Sequence, residues 1–232
     1  GTLFLGVELG LSLAIGISLL LVVFESAYPH TAVLGRLPGT TEYRNIKNYP
    51  QAERYDGIVV ARIDAPIYFA NTHNIREKIS KYEKMAVQEY VKKSKKGNDE
   101  EAQGLVQVVN GKEINLGKPV KFIILEFSAV AHIDTSGLHT IMDMHKHFSD
   151  NNVKLILSNP NMRVMQRFAA CGLVHEFGRE HIFVSTHDAV DFCLNELDED
   201  EASRQNTDVY EFFSQDSNNN RADRLVDDVP SS

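Results

Sequence analysis

The hydrophobic positions along the chain fall into three regimes. Leu9 to Phe24 is a run of sixteen uncharged, mostly apolar residues, and Leu3 to Val7 extends it across one acid, Glu8. A spanning helix needs about 20 apolar residues, so the run reaches that length only by counting back past Glu8. Either one helix carries an acid at bilayer depth, at a cost on the order of 2–3 kcal/mol, or one helix ends near Glu8 and a short one begins near Leu9. Gly6 and Gly10 flank the acid and favour a joint there. A secretory signal would want a basic start and a small-residue cleavage site; the first is absent and Ser26-Ala27 serves the second poorly. The first basic residues after the run are Arg36, Arg44, Lys47 and Arg54, which places the C-terminal side in the cytosol.

The middle regime alternates strand-like and helix-like periods. Ala27 to Asp56 holds Pro29, Pro38, Gly39 and Pro50 without a clear period and reads as an irregular connector. Gly57 to Ile63 and Pro66 to Ala70 are short strand candidates separated by Asp64-Ala65, which predicts a hairpin. Asn71 to Lys93 shows Ile75, Ile79, Tyr82 and Ala86 at helical spacing, capped by Asn71 or Thr72. Ser94 to Lys118 breaks the pattern and reads as a mobile insertion. The alternative for Val106 to Val109 is a small hairpin turning at Asn110-Gly111.

Val120 to Asp150 is the centre. Val120 to Phe127 is nearly all apolar, as in a strand covered on both faces. Leu138, Ile141, Met142, His145 and Phe148 form one helical face. Asp134-Thr135-Ser136-Gly137 joins the two, at a point where backbone N–H groups face outward unpaired. Asp134, Thr135 and Ser136 suit a helix cap, worth about 1 kcal/mol on replacement by Ala, and Gly137 suits close packing. After this come a strand at Val153 to Leu157, a helix showing Met162, Met165, Phe168 and Ala169 that stops at Gly172, a strand at Ile182 to Val184, and a helix from Thr186 to Leu197. The order is that of an α/β layer with a mixed, mostly parallel sheet.

The third regime is the tail. The net charge is −8, and residues 198–232 hold ten acids against three Arg, so −7 belongs to the tail and −1 to everything before it. Acids, Asn and Ser there predict disorder; Tyr210-Glu211-Phe212-Phe213 stands out as a short docking motif. The resulting division is 1–26 end of a transmembrane domain, 27–56 linker, 57–197 folded domain with 94–118 as a flexible insertion, and 198–232 acidic tail. Cys171 and Cys193 lack metal or redox spacing and read as packed, reduced thiols. His139, Asp143, His145 and His147 carry no metal motif. No phosphate loop, dinucleotide fingerprint or placed nucleophile appears, so no enzyme, cofactor or nucleic-acid partner is expected.

Val130 to Leu138, with Asp134-Thr135-Ser136-Gly137 after its apolar strand, resembles the signature of STAS domains. Ala32 to Thr40, Ala65 to Asn71 and Glu8 to Leu11 are similar to eukaryotic SulP-family sulfate transporters of plant and algal type, of which this would be the C-terminal portion. The resemblance implies a STAS-like fold and a secondary-active sulfate transporter, with the anion site in upstream membrane helices. The domain here would be a cytosolic regulatory module. The implied partners are its own membrane domain, a second copy in a homodimer, and a regulatory protein or kinase. The implied location is a membrane, taken as the plasma membrane. In bacterial anti-sigma-factor antagonists the serine matching Ser136 accepts a phosphoryl group. Ser136, with Thr135 as a second acceptor, is therefore the implied regulatory site, supported by Asp134 and Gly137. The alternative is a free-standing module of that bacterial kind.

Overall fold

The computed structural model describes residues 6–97, 106–109, 112–115 and 120–199. The chain divides into two compact units, Gly1–Val190 and Asp191–Ser232. In the first, helix α1 (Val7–Ala27) is continuous through Glu8 and Gly10, and none of its described residues is buried. The joint expected near Glu8 is absent; the helix begins after Gly6, its N-cap, with φ of +77°. Glu8 thus falls in the first turn, where the positive end of the helix dipole favours an acid.

Strands β1 (Thr31–Arg36), β2 (Tyr43–Asn45) and β3 (Ile58–Ile63) follow, then helix α2 (Thr72–Gly97). Next come β4 (Val106–Val109), β5 (Lys112–Asn115), β6 (Phe122–Glu126) and helix α3 (Thr135–Ser149). The series ends with β7 (Lys154–Ser158), α4 (Met162–Ala170), α5 (Leu173–Phe177) and β8 (Ile182–Phe183). A last helix runs over 186–199; in the second unit its buried residue is Cys193. Six strands make one sheet in the order β2-β1-β3-β6-β7-β8. β3, β6, β7 and β8 are parallel, while β1 is antiparallel to both β2 and β3.

Two expectations need correction here. The stretch read as a linker, 27–56, supplies β1 and β2, with Ala32, Leu34 and Tyr43 buried; its prolines and Gly39 flank the strands instead of interrupting them. The hairpin expected from Gly57–Ile63 and Pro66–Ala70 does not form; β1 instead pairs antiparallel with β2 and β3. Ile67 makes only an isolated parallel bridge to Ile133, and the chain around it turns into α2. β4 and β5 pair from Val106↔Asn115 to Val109↔Lys112 as a separate hairpin, the alternative rather than the unstructured loop. The Asn110-Gly111 turn, residues 1–5 and 200–232, including the Tyr210 to Phe213 motif, lie outside the described residues.

β6 is central and all five of its residues are buried, as its apolar run requires. Alternate residues Val59, Ala61, Ile63, Ile123, Leu125, Leu155 and Leu157 share one core with Ile75 and Ile79 of α2, Leu138, Ile141, Met144 and Phe148 of α3, and Val164 and Phe168 of α4. Burying a side chain of this size is worth about 1.5–3 kcal/mol. Met162 was expected on the core face of α4 and is instead exposed; Val164 takes that place. Cys171, expected to be packed, is exposed just before Gly172, whose positive φ ends α4 as its position predicted.

His145 on α3 is half-buried, stacked on Phe177 with ring centroids 4.1 Å apart. Its buried Nδ1 has no hydrogen-bond partner among the described residues. Burial holds its pKa below the ordinary value near 6.5; Glu176 opposes that shift and His181 adds to it. The unfolded chain therefore takes up the proton first, and the stability due to neutral His145 is complete above pH 6.5 and is lost as pH falls below it. In denaturant melts between pH 7.5 and 5, wild type should lose more stability than His145→Phe, which keeps the stacking without a proton to bind. Parallel pH profiles would contradict this.

Candidate functional site

Parallel strands place their following loops at one end of the sheet, and a register row marks it. Arg62, Glu126 and Ser158 pair in turn, then Phe183 with Ser158, while Thr31 of β1 pairs with Ile63. Every helix that follows a parallel strand begins beyond this row, and α1 ends four residues before Thr31. Glu126 is buried here: Ser128 N–H and Asn159 Nδ2 donate to its Oε1 at 2.9 and 3.2 Å.

The turn at 134–137 lies at the same end. Asp134 is the N-cap of α3 in extended conformation, and its Oδ1 accepts the Gly137 N–H at 2.7 Å. Its Oδ2 accepts the Phe69 N–H at 2.9 Å. The backbones interlock too: Ile67 N–H donates to His132 O at 2.9 Å, and Asp134 N–H to Ile67 O at 3.1 Å. Gly137 lies against this junction. A Cβ there would sit 2.7 Å from Ile133 Cγ1 and 2.8 Å from Ile67 Cγ2, so close approach, not backbone freedom, requires glycine.

From Phe69 the connection continues to α1. Asn71 is 1% exposed and fully bonded: its Oδ1 accepts the Tyr68 N–H at 2.9 Å, and its Nδ2 donates to Pro66 O at 2.9 Å and to Ser26 O at 3.3 Å. Asn74 Nδ2 donates to Ala27 O at 2.7 Å, and Lys78 Nζ to Pro29 O at 2.6 Å. Ser26 and Ala27 belong to the last turn of α1, whose carbonyls have no partner within the helix. Their hydrogen bonds come instead from Asn71, just before α2, and from Asn74 within it. The Lys78 ammonium also sits near the negative end of the α1 dipole.

The sequence-predicted residues thus divide. Asp134 and Gly137 build the turn. Thr135 is exposed and Ser136 half-buried at the start of α3, and neither supplies the cap. The Ser136 carbonyl accepts the Thr140 hydroxyl at 2.9 Å. Asn74 and Lys78 were missed, and Asn71 was read only as a cap. Their spacing of three and four, off the Ile75–Ile79 face, was the available signal.

These roles predict an order of stability in denaturant melts. Gly137→Ala should cost about 1–3 kcal/mol through overpacking and Asp134→Ala about 1–2 kcal/mol as a lost cap. Ser136→Ala should stay within about 0.5 kcal/mol of wild type. A larger loss for Ser136→Ala than for Asp134→Ala would reverse the assignment of the cap.

Among known proteins, the STAS domain family model matches residues 49–189. Probable sulfate transporter 4.2 of Arabidopsis thaliana is 42% identical over 194 residues, covering 84% of this chain and 26% of that protein. Chloroplastic sulfate transporter 4.1 of the same plant is 43% identical over 193 residues, covering 83% and 25%. Among solved structures, SLC26A9 matches with a TM-score of 0.61 at 25% identity, over 83% of this chain and 28% of that one. The murine Slc26a9 anion transporter in the inward-facing state matches at 0.59 and 22% identity, over 83% and 26%, a likeness of fold alone. The chain spans about a quarter of the length of the curated relatives it matches. With the sheet, the interlocked turn and the match over residues 49–189 in agreement, the chain belongs to the STAS domain family.

Proposed function

We propose that this chain is the C-terminal part of a secondary-active sulfate transporter, in which α1 is a membrane-spanning helix and the STAS domain is a cytosolic regulatory module acting on it. The observation that carries the reading is the set of side chains at and just before the start of α2 that hold the end of α1 and the residues after it: Asn71 on Ser26, Asn74 on Ala27 and Lys78 on Pro29. α1 is long and apolar enough to cross a membrane by length and composition, and none of its residues is buried. Sequence similarity to plant sulfate transporters supports the substrate class, with the anion site outside this chain. The apolar helix and that similarity favour this reading over a free-standing binding module. The absence of basic residues up to Gly35, followed by Arg36 and Arg44, supports a cytosolic domain. A homodimer and a plasma-membrane location belong to the same proposal.

Regulation would act at the turn. A phosphate on exposed Thr135 or on Ser136 would stand beside Asp134, both of whose carboxylate oxygens already accept backbone N–H groups. The phosphate competes for the N–H groups at the start of α3 and repels that carboxylate. Release of the Phe69 N–H then loosens residues 66–71, which hold α1 through Asn71. Thr135 is the more accessible acceptor, Ser136 the one matching the bacterial site.

The test is sulfate uptake by the full-length transporter, normalised to surface protein. Asn74→Ala and Lys78→Ala should each change normalised uptake by about twofold or more, the scale of a coupling of 0.5–2 kcal/mol. Thr135→Ala or Ser136→Ala should change it under conditions where wild type is phosphorylated. Normalised uptake equal to wild type in all four variants would contradict a regulatory contact.

A further inference from the structure

Among the described residues, the three most exposed large apolar side chains outside α1 lie at one end of the sheet. Phe69, in the loop after β3, is 78% exposed; Met162, starting α4 after β7, is 73%; Val184, following β8, is 87%. All three lie beyond the row of Arg62, Glu126, Ser158 and Phe183. Tyr68 and Tyr28, both exposed, lie at the same end, the latter packed on Phe24 of α1 with ring centroids 4.6 Å apart. Separate loops have each left a large apolar group mostly in water, although a residue of this kind gains about 1.5–3 kcal/mol by leaving it.

The end of α1 fixes what that surface meets. Twenty-one residues at 1.5 Å each span about 31 Å, the thickness of a hydrocarbon core. A helix that fills the core ends at its boundary. Ser26 and Ala27 are held there by Asn71 and Asn74, so Phe69, two residues before Asn71, lies within about 7 Å of Asn71 along the chain. From β1, where α1 enters, four strand spacings lead to β8, about 19 Å across the sheet end. Phe69, Met162 and Val184 are spread over that width.

Charge agrees with a lipid surface. His132, Arg163 and Arg167 line a shallow depression of about 260 Å³ beside the turn, and the two arginines are exposed. Of the acids at this end, Asp64 is paired with Arg62 at 2.5 Å and Asp134 is occupied by two backbone N–H groups. Two acids stand exposed at this end, Glu25 in the last turn of α1 and Asp188 near the start of the last helix.

We propose that this end of the STAS domain is a membrane-interface surface, with Phe69, Met162 and Val184 seated among lipid headgroups and Arg163 and Arg167 facing their phosphates. The inference rests on the reading that α1 crosses a bilayer. Tips of this kind bind by apolar burial together with attraction to anionic lipid. The turn at 134–137 then works beside the lipid surface, and a phosphate on Thr135 would repel anionic headgroups as well as Asp134.

The chain has no Trp, so one introduced Trp is the sole indole reporter. Single variants Phe69→Trp, Met162→Trp and Val184→Trp are reconstituted, as the whole chain, in vesicles of phosphatidylcholine and phosphatidylglycerol containing brominated lipid. Phe24→Trp reports whether α1 is inserted. Met85→Trp, an exposed site thirteen residues along α2 from Thr72 and so about 20 Å from its start, is the aqueous reference. With Phe24→Trp quenched, the three tip variants should be quenched at least about twofold more than Met85→Trp. Arg163→Glu/Arg167→Glu should reduce quenching at Met162→Trp in anionic vesicles. Tip variants no more quenched than Met85→Trp, or quenching confined to Phe69→Trp, would overturn the surface while leaving the crossing intact. An unquenched Phe24→Trp would overturn the crossing itself. Unchanged far-ultraviolet circular dichroism verifies the fold of each variant, as substitution at exposed sites should allow.

Discussion

Asp134 gives its two carboxylate oxygens to different parts of the chain, one to the Gly137 N–H of its own helix and one to the Phe69 N–H of a loop sixty-five residues away. A carboxylate accepting backbone N–H groups makes a stronger bond than a neutral acceptor. This one side chain both starts α3 and fixes residues 66–71, on which the start of α2 and the grip on α1 depend. Gly137 makes the arrangement possible, because Ile133 and Ile67 leave no room for a Cβ beside it. The motif that looks like a helix cap in sequence is therefore also a clasp between two loops.

Parallel topology explains why so much converges at one end. Each βα step delivers a loop and a helix N-terminus to the C-terminal end of its strand, and β1, running antiparallel, brings the end of α1 to the same place. Asn159, with φ of +53°, ties β7 into this region through Glu126 and Thr186. Asn161 caps α4 and donates to Val130 O at 2.7 Å. The loops at this end are thus held by side-chain hydrogen bonds from asparagine and aspartate, while the core behind them is almost wholly apolar.

Elements with a strong period were legible in the sequence: the central strand, the Ile75–Ile79 face of α2, and α3 with its capping turn. β1 and β2 were not, because six and three residues between prolines carry too short a pattern, and their burial comes from pairing with β3 far along the chain. Pro66 to Ala70 looked like a strand because its residues are apolar. Tertiary bonds to His132 and Asp134 instead bend it into the loop that presents Phe69. The turn itself could be located from Asp134 and Gly137. Its connection to α1 could not, since the spacing of Asn74 and Lys78 marks a polar face of α2, while the backbone carbonyls they bond leave no trace in residue identity.

Coupling between the turn and α1 is tested most directly by a double-mutant cycle on Asp134→Ala and Asn71→Ala, read as unfolding free energy of the whole chain in detergent micelles. The two side chains act on different backbone N–H groups of one loop, Phe69 and Tyr68. A connected loop predicts that the double variant departs from the sum of the single variants by about 0.5–3 kcal/mol. Additivity within about 0.3–0.5 kcal/mol would mean that the turn and the end of α1 are held independently.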